Sequence, residues 1–141
     1  MGRRLTLLGG ALLLAGCGGG AGGSATKTSR PCTLVGCSSG VFVTVGDLPP
    51  AASTVEICVG ADCTKVPVTA GGFALQLVLP HIGGTRPLTV VARVRDVGDR
   101  VIRESSLVRR PVRTQPNGPG CRPICYQISA HLARDGRLVP G

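Results

Sequence analysis

Residues 54–68 read Thr-Val-Glu-Ile-Cys-Val-Gly-Ala-Asp-Cys-Thr-Lys-Val-Pro-Val, and this stretch decides the fold. Apolar residues recur at every second position on both sides of Gly60-Ala61, which is the period of a β-strand. Two such runs joined by a two-residue link that contains glycine are typical of a β-hairpin. The stretch therefore predicts two antiparallel strands that turn at Gly60-Ala61.

The register of this hairpin predicts a first disulfide. With the turn at residues 60–61, Cys58 lies opposite Cys63, and both thiols point to the outward, polar face. The second pair out from a two-residue turn is non-hydrogen-bonded, and there the strands approach most closely. We therefore expect a Cys58–Cys63 bond.

The same alternation of apolar and polar residues continues through most of the chain beyond residue 40. Breaks rich in Pro, Gly and Asp separate the alternating runs, and no stretch shows a sustained helical period. The sequence predicts an all-β domain, an antiparallel β-sandwich of about seven strands, immunoglobulin-like. The expected strands are residues 41–45, 54–59, 62–68, 73–79, 88–95, 100–104 and 125–133, with residues 105–113 as an edge strand.

The hydrophobic core of this domain is expected to be small and aliphatic. Phe42, Phe73 and Tyr126 are its three aromatic residues, and there is no Trp. Small exported domains with modest cores often depend on disulfides.

Four further cysteines suit such bracing. Cys32 and Cys37 precede the first strand, whereas Cys121 and Cys125 precede the last long one. We expect cross-pairing between the two groups, which closes loops of nearly ninety residues and stabilises by about 3–5 kcal/mol each. Local pairing, Cys32–Cys37 and Cys121–Cys125, is the alternative. Because the spacings lack the paired C-x2-C of zinc knuckles, no metal site is expected.

Positive charge is concentrated in the second half of the chain. Residues 17–80 have no net charge, while residues 81–141 hold eleven arginines against four acidic residues. The composition favours arginine as only the preferred surface cation of the proteome. Since the arginine fork suits carboxylate and phosphate, the functional alternative is one cationic face that binds anionic lipid headgroups, an anionic envelope polymer or a protein partner, formed by Arg93, Arg95, Arg103, Arg109 and Arg110. Nucleic acid is disfavoured, because single-strand binders interleave aromatic side chains with their arginines.

The sequence favours a protein that is not an enzyme. Residues 36–40 match the G-x-S-x-G nucleophile pattern, but a strand follows them where that motif requires a helix. His81 and His131 stand alone, without clustered carboxylates that would make a general base. We expect no catalytic residue and no cofactor; a small redox protein or hydrolase is the minor alternative, disfavoured by the lack of C-x-x-C.

The first residues have the parts of an export signal: a basic start at Arg3-Arg4, an apolar run over residues 5–14, and small residues before Cys17. The apolar run is far shorter than the roughly 20 residues that span a bilayer. Residues 14–17, Leu-Ala-Gly-Cys, resemble the lipobox of bacterial lipoproteins. The resemblance covers residues 1–17 alone.

The resemblance implies that Cys17 becomes the first residue of the mature protein and carries a diacylglyceryl group and an acyl chain such as palmitate. The domain organisation is then a lipoprotein signal peptide (1–16), a lipidated cysteine with a flexible Gly-rich tether (17–31) and a disulfide-braced β-sandwich (32–141). Such a protein is exported and anchored by lipid to the outer face of the cell membrane. The functional hypothesis is a binding or interaction module of the envelope, with a structural accessory subunit of an envelope complex as the alternative.

Overall fold

The computed structural model describes residues 31–84 and 86–141. These residues form nine strands: β1 (Gly40–Val45), β2 (Thr54–Val59), β3 (Asp62–Pro67), β4 (Phe73–Val78), β5 (Leu88–Arg95), β6 (Val101–Arg109), β7 (Val112–Thr114), β8 (Cys125–Leu132) and β9 (Leu138–Pro140). The part of the chain that is described contains no helix able to cross a membrane. The predicted signal peptide, Cys17 and the tether up to residue 30 lie outside the described residues.

The strands form two sheets packed together, which confirms the predicted β-sandwich. The first sheet has the order β4-β1-β8-β7, with β9 also paired to β8, and the second has the order β3-β2-β5-β6. Every pairing is antiparallel except that of β1 with β8, which is parallel.

Residues 105–113 lie at sheet edges, as predicted, but they belong to two strands and not to one. The first part of this range belongs to β6 in the second sheet, and residues 112–114 form β7 in the first sheet. Pro111 lies between the two strands, where its missing N–H ends a hydrogen-bonded ladder. Residues 110–111 are therefore a crossover between the sheets. The short strands β7 and β9 bring the number above the predicted seven, because three residues are too few to show an alternation.

The core lies between the sheets and is aliphatic, as predicted. Alternate residues of β1, β2, β4, β5 and β8 are buried, with the largest fully buried side chains being Ile57, Ile128, Leu132, Val41, Val43, Val55, Val90 and Val94. Phe42, Phe73 and Tyr126 are only half-buried. With no aromatic side chain fully inside, the core supplies modest burial, and the cross-links gain importance.

The hairpin of β2 and β3 has the predicted register. Gly60 adopts φ 60°, as the first central residue of a type II′ turn requires. Cys58 pairs with Cys63 across the strands at a Cα–Cα distance of 4.1 Å, and the two are joined by a disulfide. Cys58 is nevertheless buried rather than exposed, because the Arg93 guanidinium lies over it with Nη1 3.7 Å from Sγ.

The parallel pairing of β1 with β8 determines how the remaining cysteines meet. Val41 pairs with Ile128 and Val43 with Ala130. Since both strands run the same way, the segments that precede them lie side by side. The structure accordingly contains the disulfides Cys32–Cys121 and Cys37–Cys125, which confirms cross-pairing over the local alternative.

The side chain of Asn117 strengthens this junction. Its Oδ1 accepts a hydrogen bond from the Val35 N–H at 3.0 Å, and its Nδ2 donates to the Val35 carbonyl at 3.0 Å. Nδ2 also donates to the carbonyl of Arg122 at 2.6 Å. The loops over residues 32–37 and 117–125 are thus joined by two disulfide bonds and by the hydrogen bonds of the Asn117 side chain.

The loops of the sandwich gather at two ends. We call the end where β1 and β8 begin the disulfide end; it holds residues 31–39, 60–61, 79–87, 110–111 and 115–124. The β4–β5 connection belongs there because the Leu79 N–H donates to the Ser39 carbonyl at 3.0 Å. The opposite end holds residues 46–53, 68–72, 96–100 and 133–137.

The two long-range disulfides overlap along the chain and lie side by side, although each spans nearly ninety residues (sequence separations of 89 and 88). Once one is closed, the other closes only a ring on the order of ten residues. We therefore expect that replacing Cys37 and Cys125 by alanine lowers the free energy of unfolding by about 3 kcal/mol, and that replacing all four cysteines lowers it by about 7 kcal/mol. Urea denaturation of the variants measures both values. A cost of 4–5 kcal/mol for each pair, strictly additive, contradicts the expectation that the second bond closes only a short ring.

Candidate functional site

Two of the five predicted anion-binding arginines are already neutralised by carboxylates of their own sheet. Arg95 Nη2 donates to Glu56 Oε2 at 2.9 Å, and Arg93 Nη1 lies 3.4 Å from the same oxygen. Arg93 Nε donates to Glu104 Oε2 at 2.6 Å. The register causes this, because it places Arg93 between Glu56 of β2 and Glu104 of β6 on the outer face.

The carboxylates in and beside this network are held in their charged form. The hydrogen bond from Arg95 is the main cause that lowers the pKa of Glu56 below its ordinary value, against the opposing effect of burial. The pKa of Asp99 is lowered chiefly by its hydrogen bond from Lys65. The pKa of Asp96 is lowered chiefly by Arg100, whose Nε donates at 2.8 Å.

Arg103 and Arg109 lie on the other face of the same sheet, so the prediction of one cationic face is wrong. Arg103 pairs with Val94, which is buried, and Arg109 pairs with Leu88. Cross-strand partners share a face, and successive residues alternate between faces. Since Arg93 is paired with residue 104, the odd-numbered arginines of β6 face away from it.

The cations without acidic partners lie mainly at the disulfide end. Within the part of the chain the structure describes, no hydrogen bond or ion pair engages the side chains of Arg86, Arg109, Arg113, Arg122 and Arg134. All but Arg134 lie at or beside the disulfide end, as does Arg110. Asp62 is the one acidic residue there among described residues, whereas four aspartates lie at the opposite end: Asp47, Asp96, Asp99 and Asp135.

A cleft of about 620 Å³ opens at the disulfide end. Three connections form it: the β2–β3 turn, the segment between β4 and β5, and the β6–β7 crossover. Its floor is apolar and belongs to the end of the core, with contributions from Val59, Leu79, Ile82, Leu88 and Pro111. A cleft of this size falls within the 300–1,000 Å³ range typical of small-molecule sites.

The polar groups of the cleft give it a positive balance. Arg86 and Arg110 line it together with His81, against the single carboxylate of Asp62. Arg110 also lines a second depression of about 580 Å³ between β6, β7 and β8. The crossover thus presents arginine to two neighbouring concave surfaces.

Sequence reasoning missed this site. It assigned Pro80 and Gly83-Gly84 to a loop that ends a strand, which is correct, and gave the loop no role. The available signal was Ile82, an apolar residue within a Gly- and Pro-rich connection, followed closely by Arg86. Arg110 meets this loop because the chain changes sheets at Pro111. No local sequence pattern predicts that change.

The two histidines lie in different environments. His131 is half-buried on the outer face of the first sheet, with Nδ1 3.1 Å from Thr44 Oγ1. His81 lines the cleft. Neither contacts a carboxylate in residues 31–84 and 86–141.

The G-x-S-x-G match at residues 36–40 forms the segment that leads into β1 and includes its first residue. Ser39 Oγ accepts a hydrogen bond from the Tyr126 N–H at 3.1 Å, and Gln127 Nε2 donates to the Ser38 carbonyl at 3.0 Å. Cys37 within the match is consumed by a disulfide. These serines connect the starts of β1 and β8.

One group of potential metal donors, Glu56, Cys58 and Cys63, lies with its donor atoms within 4.8 Å of one another. Both sulfur atoms are bonded to each other in the disulfide, and Glu56 accepts hydrogen bonds from Arg93 and Arg95. A thiolate is required for metal ligation by cysteine. The group is therefore part of the ion-pair network.

No protein-family model, curated protein or solved structure matches this chain. The immunoglobulin-like label thus stays a prediction. The three disulfides indicate an oxidising, extracytoplasmic location, since such bonds are rare where glutathione and thioredoxin keep thiols reduced.

The ion-pair network of the outer face consists of Glu56, Arg93, Arg95 and Glu104. Substitution of Glu56 tests whether the network depends on this residue. Because its side chain is only 18% exposed and serves two arginines, we expect Glu56→Gln to lower the free energy of unfolding by about 1–3 kcal/mol at pH 7. A carboxyl with a lowered pKa stabilises above its unfolded value of 4.5 and loses that contribution as the pH falls through its folded value. The difference between variant and wild type, measured by urea denaturation, should therefore shrink below pH 4.5.

Glu104→Gln is the matched control, since Glu104 is 55% exposed and pairs with Arg93 alone. Its effect should stay within about 1 kcal/mol, as for exposed ion pairs. Equal costs for the two variants, or a Glu56 effect independent of pH, contradict that dependence on Glu56.

Proposed function

We propose that this chain is a lipid-anchored, exported envelope protein that binds an anionic ligand with an apolar portion in the cleft at the disulfide end. The observation that carries the proposal is the pairing of an apolar floor with the guanidinium of Arg86, which no acidic group among the described residues neutralises.

The lipobox resemblance at residues 14–17 supports the anchor, and the three disulfides agree with export. Two or three acyl chains on one cysteine give a stable membrane attachment, whereas a single chain holds a protein only marginally. An anchored module of this size, with a tether of residues 17–31, acts close to the bilayer.

The chemistry of the cleft supports the ligand class. A guanidinium binds carboxylate or phosphate through parallel hydrogen bonds. The aliphatic floor favours an apolar chain or ring, because its burial in the cleft removes apolar surface from water. The outer face of the second sheet, in contrast, balances Arg93, Arg95 and Lys65 with Glu56, Glu104 and Asp99. We therefore assign anion binding to the disulfide end.

The proposed lipid anchor predicts that acylation of the protein and its association with membranes require Cys17. In cells fed a clickable palmitate analogue, the wild-type protein should be labelled and fractionate with membranes, whereas Cys17→Ser should be unlabelled. Cys63→Ser, which removes a thiol of the hairpin, should leave the labelling unchanged. Membrane fractionation of an unlabelled wild-type protein that keeps residues 1–16 contradicts the anchor.

The proposed ligand class predicts that the cleft binds a ligand with both an anionic group and an apolar chain more tightly than a ligand with only one of the two. Titration calorimetry of the mature chain should give tighter binding of octyl phosphate than of inorganic phosphate or octyl glucoside. Arg86→Gln should weaken octyl phosphate by about tenfold, the loss expected for one charged hydrogen bond. Because a Cβ at Gly83 meets nothing within 4 Å, Gly83→Trp should fill the cleft without backbone strain and abolish binding.

Gly36→Trp is the matched control, since a Cβ at Gly36 also meets nothing within 4 Å and this residue lies outside the cleft. Binding that survives Gly83→Trp, or that falls equally with Gly36→Trp, contradicts the cleft as the ligand site.

A further inference from the structure

The exposed apolar side chains are distributed unevenly over the sandwich. Six of the eight large ones among the described residues lie at or toward the disulfide end: Leu34, Val35, Val78, Val108, Val112 and Ile124. Val97 and Val101 lie toward the opposite end. A single exposed aliphatic residue is ordinary on a protein surface, but a concentration at one end marks an interaction site.

Leu34, Val35 and Ile124 form the most prominent part of this surface. Leu34 is fully exposed, and the other two are exposed at 52% and 38%. They stand on the two loops that Cys32–Cys121, Cys37–Cys125 and the Asn117 amide join together. These residues are therefore held out by a cross-linked support and cannot fold back into the core.

Two arginines lie close to Ile124, one on the same loop and one on the strand that pairs with the start of β8. Arg122 lies two residues before Ile124, and Arg113 pairs with Tyr126 near the start of β8. Neither has an acidic partner within the described ranges 31–84 and 86–141. Apolar side chains bordered by cations are the composition that binds at the boundary of anionic headgroups and acyl chains.

The attachment of the chain points the same end toward the membrane. Thirteen residues lie between Cys17 and Pro31, and the disulfide of Cys32 fixes the point where this segment enters the domain. With the tether that the sequence predicts, a Gly-rich chain of that length has a mean reach of roughly 20 Å. With the anchor of the proposed function at Cys17, the disulfide end is the part of the sandwich nearest the lipid.

We propose that the disulfide end docks on an anionic phospholipid bilayer, with Leu34, Val35 and Ile124 entering the interface and Arg113 and Arg122 contacting the headgroup phosphates. The loops of the opposite end hold four aspartates against three arginines, so the inverted orientation would bring no excess of positive charge to the headgroups. Docking turns the mouth of the cleft toward the membrane surface, so a ligand reaches it from the lipid side. The orientation of the domain rests on the proposed lipid anchor at Cys17. Binding of the disulfide end to an anionic bilayer does not depend on that anchor.

The test uses the mature chain, residues 17–141, with Cys17→Ser, so that acylation plays no part. Co-sedimentation with vesicles should show binding when they contain phosphatidylglycerol and little binding to pure phosphatidylcholine. Arg122→Gln should weaken binding by about fivefold, the value for one cation near an anionic surface, and Leu34→Asp by at least as much. Added salt should weaken binding of the unsubstituted chain as well.

Matched controls lie at the opposite end. Val97 is 94% exposed, and Arg134 has no acidic partner in the described part of the chain, so Val97→Asp and Arg134→Gln should leave vesicle binding unchanged. Thermal unfolding of Leu34→Asp should match that of Val97→Asp, since both side chains are exposed.

Three outcomes overturn the inference: equal binding to neutral and anionic vesicles, equal losses with the substitutions at the two ends, or a dimer in sedimentation equilibrium that Leu34→Asp dissociates, which would assign the patch to a second copy of this chain. Gly83→Trp separates this inference from the proposed function, because it should remove octyl phosphate binding and leave vesicle binding intact. Absent palmitate labelling would remove the anchor without changing the vesicle result.

Discussion

The parallel pairing of β1 with β8 is the constraint on which the rest of the structure depends. It brings together two strands that are more than eighty residues apart, and it joins the beginning of the sandwich to its end within one sheet. Because the two strands run in the same direction, their preceding loops meet, and four cysteines can close two bonds there. A core of Val, Leu, Ile and Ala, with no aromatic side chain fully buried, receives from these bonds a stabilisation that its own size does not provide.

The same constraint separates the two ends of the molecule chemically. The disulfide end collects the sheet crossover at Pro111, the β4–β5 connection and the cysteine loops, and with them most of the arginines that lack an acidic partner among the described residues. The opposite end collects four aspartates, while the outer face between them balances its charges internally. Among the described residues, the arginines that no carboxylate balances therefore lie mainly at one end, where the cleft and the exposed apolar residues also lie.

Sequence patterns predicted the features that depend on local order. The hairpin register and the Cys58–Cys63 bond follow from a two-residue turn, and the cross-pairing of the other cysteines follows from their positions before two strands. The prediction of one cationic face failed because the faces on which Arg103 and Arg109 lie depend on the register of β5 with β6, which places them opposite Val94 and Leu88. The cleft likewise depends on the sheet switch at Pro111, which brings Arg110 to a loop nearly thirty residues earlier in the chain.

Non-reducing peptide mapping of the exported protein tests the parallel pairing most directly. Trypsin cuts after Lys27, Lys65, Arg113 and Arg134, and it spares the bonds of Arg30 and Arg122, which precede proline. The account predicts that peptides 28–65 and 114–134 remain joined by two disulfides until a reductant is added. Separation of the two peptides without reductant, each with an internal bond, would contradict it.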